Sequence, residues 1–230
     1  MTTIFEITEQ CLVCGTVSSH AEIGSTNAMG FSDLDTRPPE MRRSTMEMWV
    51  RECPKCGYCA ESLEEGGEAE AVRKIVLSPE YRKQLKKRSF PRLANRFLCR
   101  AMILEAQGVY GAAGWAALSA AWACDDSLEN YQKTDVRKKM ETSSLCRQRA
   151  TELFILAQKN GDEFAEGDGV QEAILADVLR RSEWFDAAEK SCLAGLEKQP
   201  EEIIQKILLF EKKLAEERDV YCYTLGHLVD

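Results

Sequence analysis

Two regimes of hydrophobic spacing divide the chain. In the first sixty residues, apolar and polar positions alternate over short runs. Thr3 to Thr8 alternates in the manner of a short strand. Met46 to Glu52 does so again, with Met46, Met48 and Val50 on one face and Glu47, Trp49 and Arg51 on the other. Between them lies a stretch rich in Gly, Ser, Thr, Asn and Asp that closes in Asp33-Leu-Asp-Thr-Arg-Pro-Pro39, which is loop composition. Glu61 to Glu70 is acidic, with Gly66-Gly67 in its middle. It sets the expected boundary between a β-rich unit, 1–66, and a helical unit, 67–230.

From Ala71 onward the period lengthens to that of helices. Ser78-Pro79-Glu80 is a helix start: an N-cap hydroxyl, proline at the first helical position, then an acid in the first turn. Ser89-Phe90-Pro91 opens the next helix, expected to run to Gln107 and stop at Gly108. Another covers Tyr110 to Cys124, and a long one runs from Asp135 to Lys159, ended by Asn160-Gly161. Two more flank Arg181 to Trp184, and Pro200 opens a last one through Ile203, Ile207, Phe210 and Leu214. Phe97, Ala101, Leu104, Gly108, Tyr110, Ala113, Ala117 and Ala120 fall on the spacing of a tetratricopeptide repeat, in which small residues let paired helices approach closely. Leu175, Ala176, Leu179, Phe185, Ala188 and Pro200 fall on the same positions of a second copy. The fold class expected is mainly α: a small β-rich ribbon followed by tetratricopeptide-like hairpins. A plain helical bundle with a coincidental Gly-x-Tyr spacing is the other reading.

Composition narrows the function classes. The chain has 230 residues, 44% hydrophobic and 30% charged, as a globular protein with a real core requires. A formal charge of −8 and a pI of about 5.1 disfavour generic attachment to nucleic acid, which needs a clustered positive field. The longest apolar stretch, Gly108 to Cys124, falls short of the roughly 20 strongly apolar residues of a spanning helix, so no membrane partner is expected. The N-terminus carries acids where a signal peptide has positive charge, which places the protein in the cytoplasm.

Ten cysteines change the picture. Five lie in the first 59 residues, and Cys99, Cys124, Cys146, Cys192 and Cys222 are scattered singly along helical stretches. In a reducing compartment the tight set reads as metal-binding and the singles as small core residues. Cys11-Leu-Val-Cys14-Gly15 and Cys53-Pro-Lys-Cys56-Gly57 are two zinc knuckles. Two thiolates three residues apart bind one ion from a tight turn, and the glycine permits the left-handed backbone that frees amides to donate to sulfur. Together Cys11, Cys14, Cys53 and Cys56 complete a tetrahedral site with no open position, so the expected cofactor is a structural Zn²⁺ ion. Rubredoxin-like iron is the rival, since paired knuckles beside a tryptophan (here Trp49) occur there too. Cys59 reads as a packed thiol and His20 as a remote substitute ligand.

These knuckles, Trp49 ahead of the second, Tyr58 after it and the Gly-x-Tyr-x-x-Ala turn together resemble the bacterial uncharacterised family named domain of unknown function 2225. The resemblance implies a zinc ribbon followed by tetratricopeptide-like helices; it does not imply an activity. Typical members carry Tyr-Ala-Ala after the second knuckle glycine, whereas here Tyr58 is followed by Cys59 and Ala60.

Two weaker signals remain. Arg82 to Arg100 holds eight cations and no acid, and Arg92, Arg96 and Arg100 share a helix face. That face is either an anion-binding stripe or a solvated one that also meets the Glu61 to Glu70 run. Asp33, Asp35 and Arg37 form either a recognition loop or a polar network that pins a long connection to the ribbon. No catalytic constellation stands out: there is no His-Glu-x-x-His and no phosphate-binding glycine loop. The leading expectation is a scaffold or adaptor module with a protein partner, its hairpins folding around a core separate from that of the ribbon. Nucleic-acid binding through the ribbon and the basic helix is the alternative. An enzyme with its site at Asp33, Asp35 and Arg37 is the second.

Overall fold

A computed structural model describes residues 1–127 and 136–229, the side chains of 136–140 excepted. The chain opens with an antiparallel hairpin of β1 (Thr3–Gln10) and β2 (Val17–Ser25), whose turn is the first cysteine knuckle. β2 falls in the stretch whose composition reads as loop. It is a strand because its inward polar side chains find partners: Ser18 and His20 meet at 2.7 Å, and Arg51 donates to Glu22. A two-residue pair, β3 (Ala28–Met29) with β4 (Glu40–Met41), brackets the loop that carries Asp33 to Arg37. The strand expected over Met46 to Glu52 is corrected to its last two residues, β5 (Arg51–Glu52), paired with β6 (Cys59–Ala60). Ahead of it Arg43–Met48 is a 3-10 turn. The Thr45 hydroxyl donates to the Arg42 carbonyl at 2.7 Å and accepts from Trp49 Nε1 at 2.9 Å, which holds the tight winding.

The rest of the described chain is helical. α1 (Ala69–Leu77), α2 (Pro79–Leu85), α3 (Arg92–Ala106) and α4 (Tyr110–Asp126) are followed by α5 (Val136–Lys159). α6 (Val170–Arg180), α7 (Phe185–Glu197) and α8 (Glu202–Glu216) complete the set. The start signal at Ser78 operates as expected: its hydroxyl accepts from the Tyr81 amide at 3.2 Å, and Pro79 stands at the first position. Gly108, at φ 76°, lets α3 close on itself with the Val109 amide donating to the Leu104 carbonyl at 3.0 Å. Consecutive helices then pack in pairs, α3 with α4 and α6 with α7, while α5 lies against α4.

α4 explains the apolar stretch. It is buried on nearly all sides, so its Ala and Gly content serves close approach rather than membrane insertion. No helix among the described residues is long and apolar enough to cross a membrane. A Cβ added at Gly114 would stand 2.5 Å from the Phe154 ring, and Phe154 itself stacks on Phe164 at 4.2 Å.

The apolar interior does not divide at Gly66. One buried cluster runs from Val13, Met46, Val50 and Leu63 in the ribbon through Val72, Tyr81 and Phe97 to α4, α5 and α6. The separate cores expected from composition are therefore not what the chain builds. A ribbon this small has too little apolar surface to close a core of its own, and it closes one by leaning on α1, α2 and α3. A second, smaller cluster joins Leu34 to α6, α7 and α8.

Gly114→Ala tests this close packing. It should lower stability by about 1–3 kcal/mol in urea unfolding, because neither the α4 backbone nor the Phe154 ring has room to yield. Unchanged stability would show that α4 and α5 do not approach this closely.

Candidate metal centre

Each knuckle is built by the same backbone device. In the first, the Gly15 amide donates to the Cys11 carbonyl at 2.8 Å and the Cys11 amide to the Thr16 carbonyl at 2.9 Å. In the second, the Gly57 amide donates to Cys53 at 2.9 Å and the Cys53 amide to Tyr58 at 2.8 Å. Gly15 and Gly57 take φ of 68° and 74°, the left-handed region that glycine enters without strain. The Leu12 amide donates to the Leu63 carbonyl at 2.8 Å, which ties the first knuckle to the segment that follows β6.

The four sulfurs converge. Cys11 Sγ lies 3.6 Å from Cys56 Sγ, Cys14 Sγ lies 3.6 Å from Cys53 Sγ, and all four fall within 4.8 Å of one another. A tetrahedron with metal–sulfur bonds of about 2.3 Å has sulfur–sulfur edges of about 3.8 Å, so the set fits one ion. Cys11, Cys53 and Cys56 are buried and Cys14 is half-buried, and none is in a disulfide. Burial pushes the Cys11 and Cys56 thiols up, so without a cation they hold their protons. At Cys14 burial also acts upward, but hydrogen bonding to the Thr16 hydroxyl and amide and to the neighbouring thiols outweighs it and brings the group down to about 6. A divalent cation among the four sulfurs would stabilise all of them as thiolates.

The other candidate ligands stand apart. Cys59 is buried beside the second knuckle, where its amide donates to the Tyr81 hydroxyl at 3.0 Å. That hydroxyl donates in turn to the Gly57 carbonyl at 2.9 Å. A helix side chain thus plugs the knuckle, a role that nothing in the spacing of Tyr81 announces. His20 lies on β2 against Ser18, and burial lowers its pKa. His227 bonds within its own turn, to Thr224. Neither imidazole joins the sulfur cluster.

Each arginine of the stripe on α3 has an acidic partner. Arg92 pairs with Glu52 at 3.1 Å, Arg96 with Glu47, and Arg100 with Glu61 at 2.7 Å. Arg96 also donates to the Val50 carbonyl at 3.3 Å. Arg96 and Arg100 are largely covered, and only Arg92 is open to solvent. The expected meeting with the Glu61 to Glu70 run holds for Arg100, which pairs with Glu61, and Arg92 is solvated as expected; what differs is that Arg96 is covered and that Glu47 and Glu52 of the ribbon, not the acidic run, engage Arg96 and Arg92. The stripe fastens α3 to the unit that carries the cysteine knuckles.

Asp33, Asp35 and Arg37 are all buried, as members of an ion network. Asp35 accepts from Trp122 Nε1 at 2.8 Å and from Arg181 at 3.1 Å, with Arg147 at 3.5 Å. Asp125 binds the same two guanidiniums, at 2.6 Å from Arg147 and 3.0 Å from Arg181. Arg37 pairs with Asp126, and Arg43 reaches Asp33 at 2.9 Å. Of the two readings of this loop, the polar network is the one the contacts support: Arg43 pins the loop to the ribbon, and the remaining ion pairs pin it further to α4, α5 and the end of α6. Trp122, Asp125, Arg147 and Arg181 escape sequence reasoning because each is an ordinary polar or aromatic position on a helix. The only sign is an acid pair, Asp125-Asp126, closing an otherwise apolar helix.

No protein-family model matches the chain, and neither a curated protein nor a solved structure does.

Substitution separates the ligands from their neighbour. Cys56→Ala should lose the bound metal on gel filtration, whereas Cys59→Ala should keep a full equivalent. Metal retained by the first variant, or lost from the second, would mean a different ligand set.

Proposed function

We propose that this chain is a zinc-stapled module that binds a protein partner. The metal part rests on the donor set: four thiolates at tetrahedral spacing, mostly buried, leave no position for substrate or water, as in structural rather than catalytic zinc sites. Cys11, Cys14, Cys53 and Cys56 would hold the ion, whose contribution is to cross-link the two knuckles. Ten free thiols suit a reducing compartment such as the cytoplasm.

The observation that carries the binding reading is a cleft of about 800 Å³ between β2, the 3-10 turn and the α3–α4 pair. Ile23, Met48, Trp49, Trp115 and Ala116 line it beside the charged Arg42 and Glu65. Trp49 Nε1 already donates to Thr45, and Trp115 Nε1 to the Phe164 carbonyl at 2.8 Å. With their N–H groups satisfied inside the protein, both indoles bring mainly apolar surface to the cleft. Half-buried aromatics flanked by charge are the makeup of an interaction hot spot. The resemblance to a zinc ribbon followed by repeat-like hairpins supports the same reading. The loop of Asp33, Asp35 and Arg37 offers less to an enzyme reading, since its charges are already engaged by Arg43, Trp122, Arg181 and Asp126.

Two measurements test the proposal. The purified protein should be colourless, with one zinc per chain by elemental analysis; stoichiometric iron with visible absorbance would contradict the metal. Peptides selected from a displayed library on the wild-type protein should bind at least roughly tenfold more weakly to Ala112→Arg, whose side chain would enter the cleft. Equal binding to both proteins would remove the cleft from the account.

A further inference from the structure

The charge of this chain is unevenly placed. The whole carries −8, yet residues 71–100 hold ten Arg and Lys against one acid, Glu80. Arg92, Arg96 and Arg100 are engaged by the ribbon. Arg82, Lys83, Lys86, Lys87 and Arg88, at the corner between α2 and α3, make no ion pair among the described residues. Lys83, Lys86, Lys87 and Arg88 are exposed. Five like charges within seven residues repel one another, and nothing in the described chain offsets them.

The corner is nonetheless rigidly built. Phe90 is buried beneath it, with the Lys87 ammonium 4.4 Å from the ring centroid. Buried Asn95 donates to the Lys87 carbonyl at 2.9 Å and accepts from the Gln84 amide at 2.9 Å. The cations are therefore displayed on a fixed turn rather than on a loose loop. Beside them lies a pocket of about 290 Å³ lined by Phe90, Leu98, Ala101, Met102 and Leu145, with Lys87 also on its wall. Leu145 is 51% exposed, an apolar side chain left open beside a basic surface.

We propose that this corner docks an acidic segment of a partner protein, its carboxylates on Lys83, Lys86, Lys87 and Arg88 and one apolar anchor side chain in the pocket. Charge complementarity selects a polyanion, and the pocket decides which kind. A nucleic-acid backbone has nothing apolar to place against Leu98, Met102 and Leu145. Stacking of unpaired bases needs open rings, whereas Tyr81, Phe90 and Phe97 are all buried. An acidic peptide with a Leu- or Phe-sized residue satisfies both halves of the surface. The inference rests on the reading of the chain as a protein-binding module, but it uses a face distinct from the tryptophan-lined cleft, so either can fail alone.

Fluorescence anisotropy on the full chain tests it with three probes: a labelled peptide of Glu and Asp around a central Phe, its Phe→Ser counterpart, and a labelled DNA duplex. The Phe peptide should bind, and the Ser peptide should bind roughly tenfold more weakly, equivalent to about 1.4 kcal/mol. Joint reversal of Lys83, Lys86, Lys87 and Arg88 to Glu should abolish binding. Leu145→Ser, which keeps every charge and alters an exposed position, should by itself cost the Phe peptide its advantage. Ala112→Arg should bind both peptides as wild type does; loss there would move the site to the cleft and overturn the assignment of the corner. Equal binding of the two peptides would reduce the corner to charge adhesion and overturn the proposal. Tighter binding of the duplex than of the Phe peptide, falling steeply with salt, would overturn it in favour of nucleic acid. Cleft-selected peptides that still bind while the corner fails would leave the module reading standing without this inference.

Discussion

Four sulfurs within 4.8 Å of one another hold together two turns that belong to different parts of the chain. The first knuckle ends the β1–β2 hairpin, and the second joins β5 to β6. A two-stranded hairpin alone is marginal in water, and three separate strand pairs cannot bury much between them. One ion held by the four thiolates would cross-link these turns where little interior is available. Everything packed on the knuckles then inherits a fixed position: Tyr81 plugged into the second turn, Arg96 on the Val50 carbonyl, and Met46 and Val50 inside the shared core.

The second constraint is electrostatic and lies at the far side of the long loop. Asp35 is fully buried among Trp122, Arg147 and Arg181. Losing the Asp35 carboxylate would leave buried guanidinium charge undercompensated, the expensive failure of such networks, of the order of 3–5 kcal/mol. The C-terminal segment joins the same loop, with the Leu34 amide donating to the Tyr223 carbonyl and the Leu225 amide to the Ser32 carbonyl, each at 2.9 Å. A single excursion from the ribbon thereby reaches α4, α5, α6 and the end of the chain. The ribbon touches the helices through the cysteine knuckles on one side and through ion pairs on the other.

The parts legible in the sequence were those encoded locally. Cys-x-x-Cys-Gly fixes its own turn, Ser78-Pro79 caps its own helix, and Gly108 ends α3 from within. What escaped was encoded between distant positions. β2 reads as loop because its Ser, His and Glu residues are explained only by partners on β1 and at Arg51. The Met46 to Glu52 alternation imitates a strand although Thr45 winds it into a turn. The pairing of Arg100 with the Glu61 to Glu70 run is legible in the charge pattern, whereas those of Arg92 with Glu52 and Arg96 with Glu47 depend on the fold. The Asp33 to Arg37 loop was noticed for its charge, but its direction, into the helices, depends on Arg147 and Arg181.

If one ion in the thiolate tetrahedron supports the interior shared by ribbon and helices, its removal must loosen both. Hydrogen exchange before and after chelation tests it most directly. Metal removal should speed exchange in β1, β2, α2 and α3 together, while α7 and α8, which also build the smaller cluster, stay protected. Loss of protection confined to the knuckles, with α2 and α3 unchanged, would contradict it.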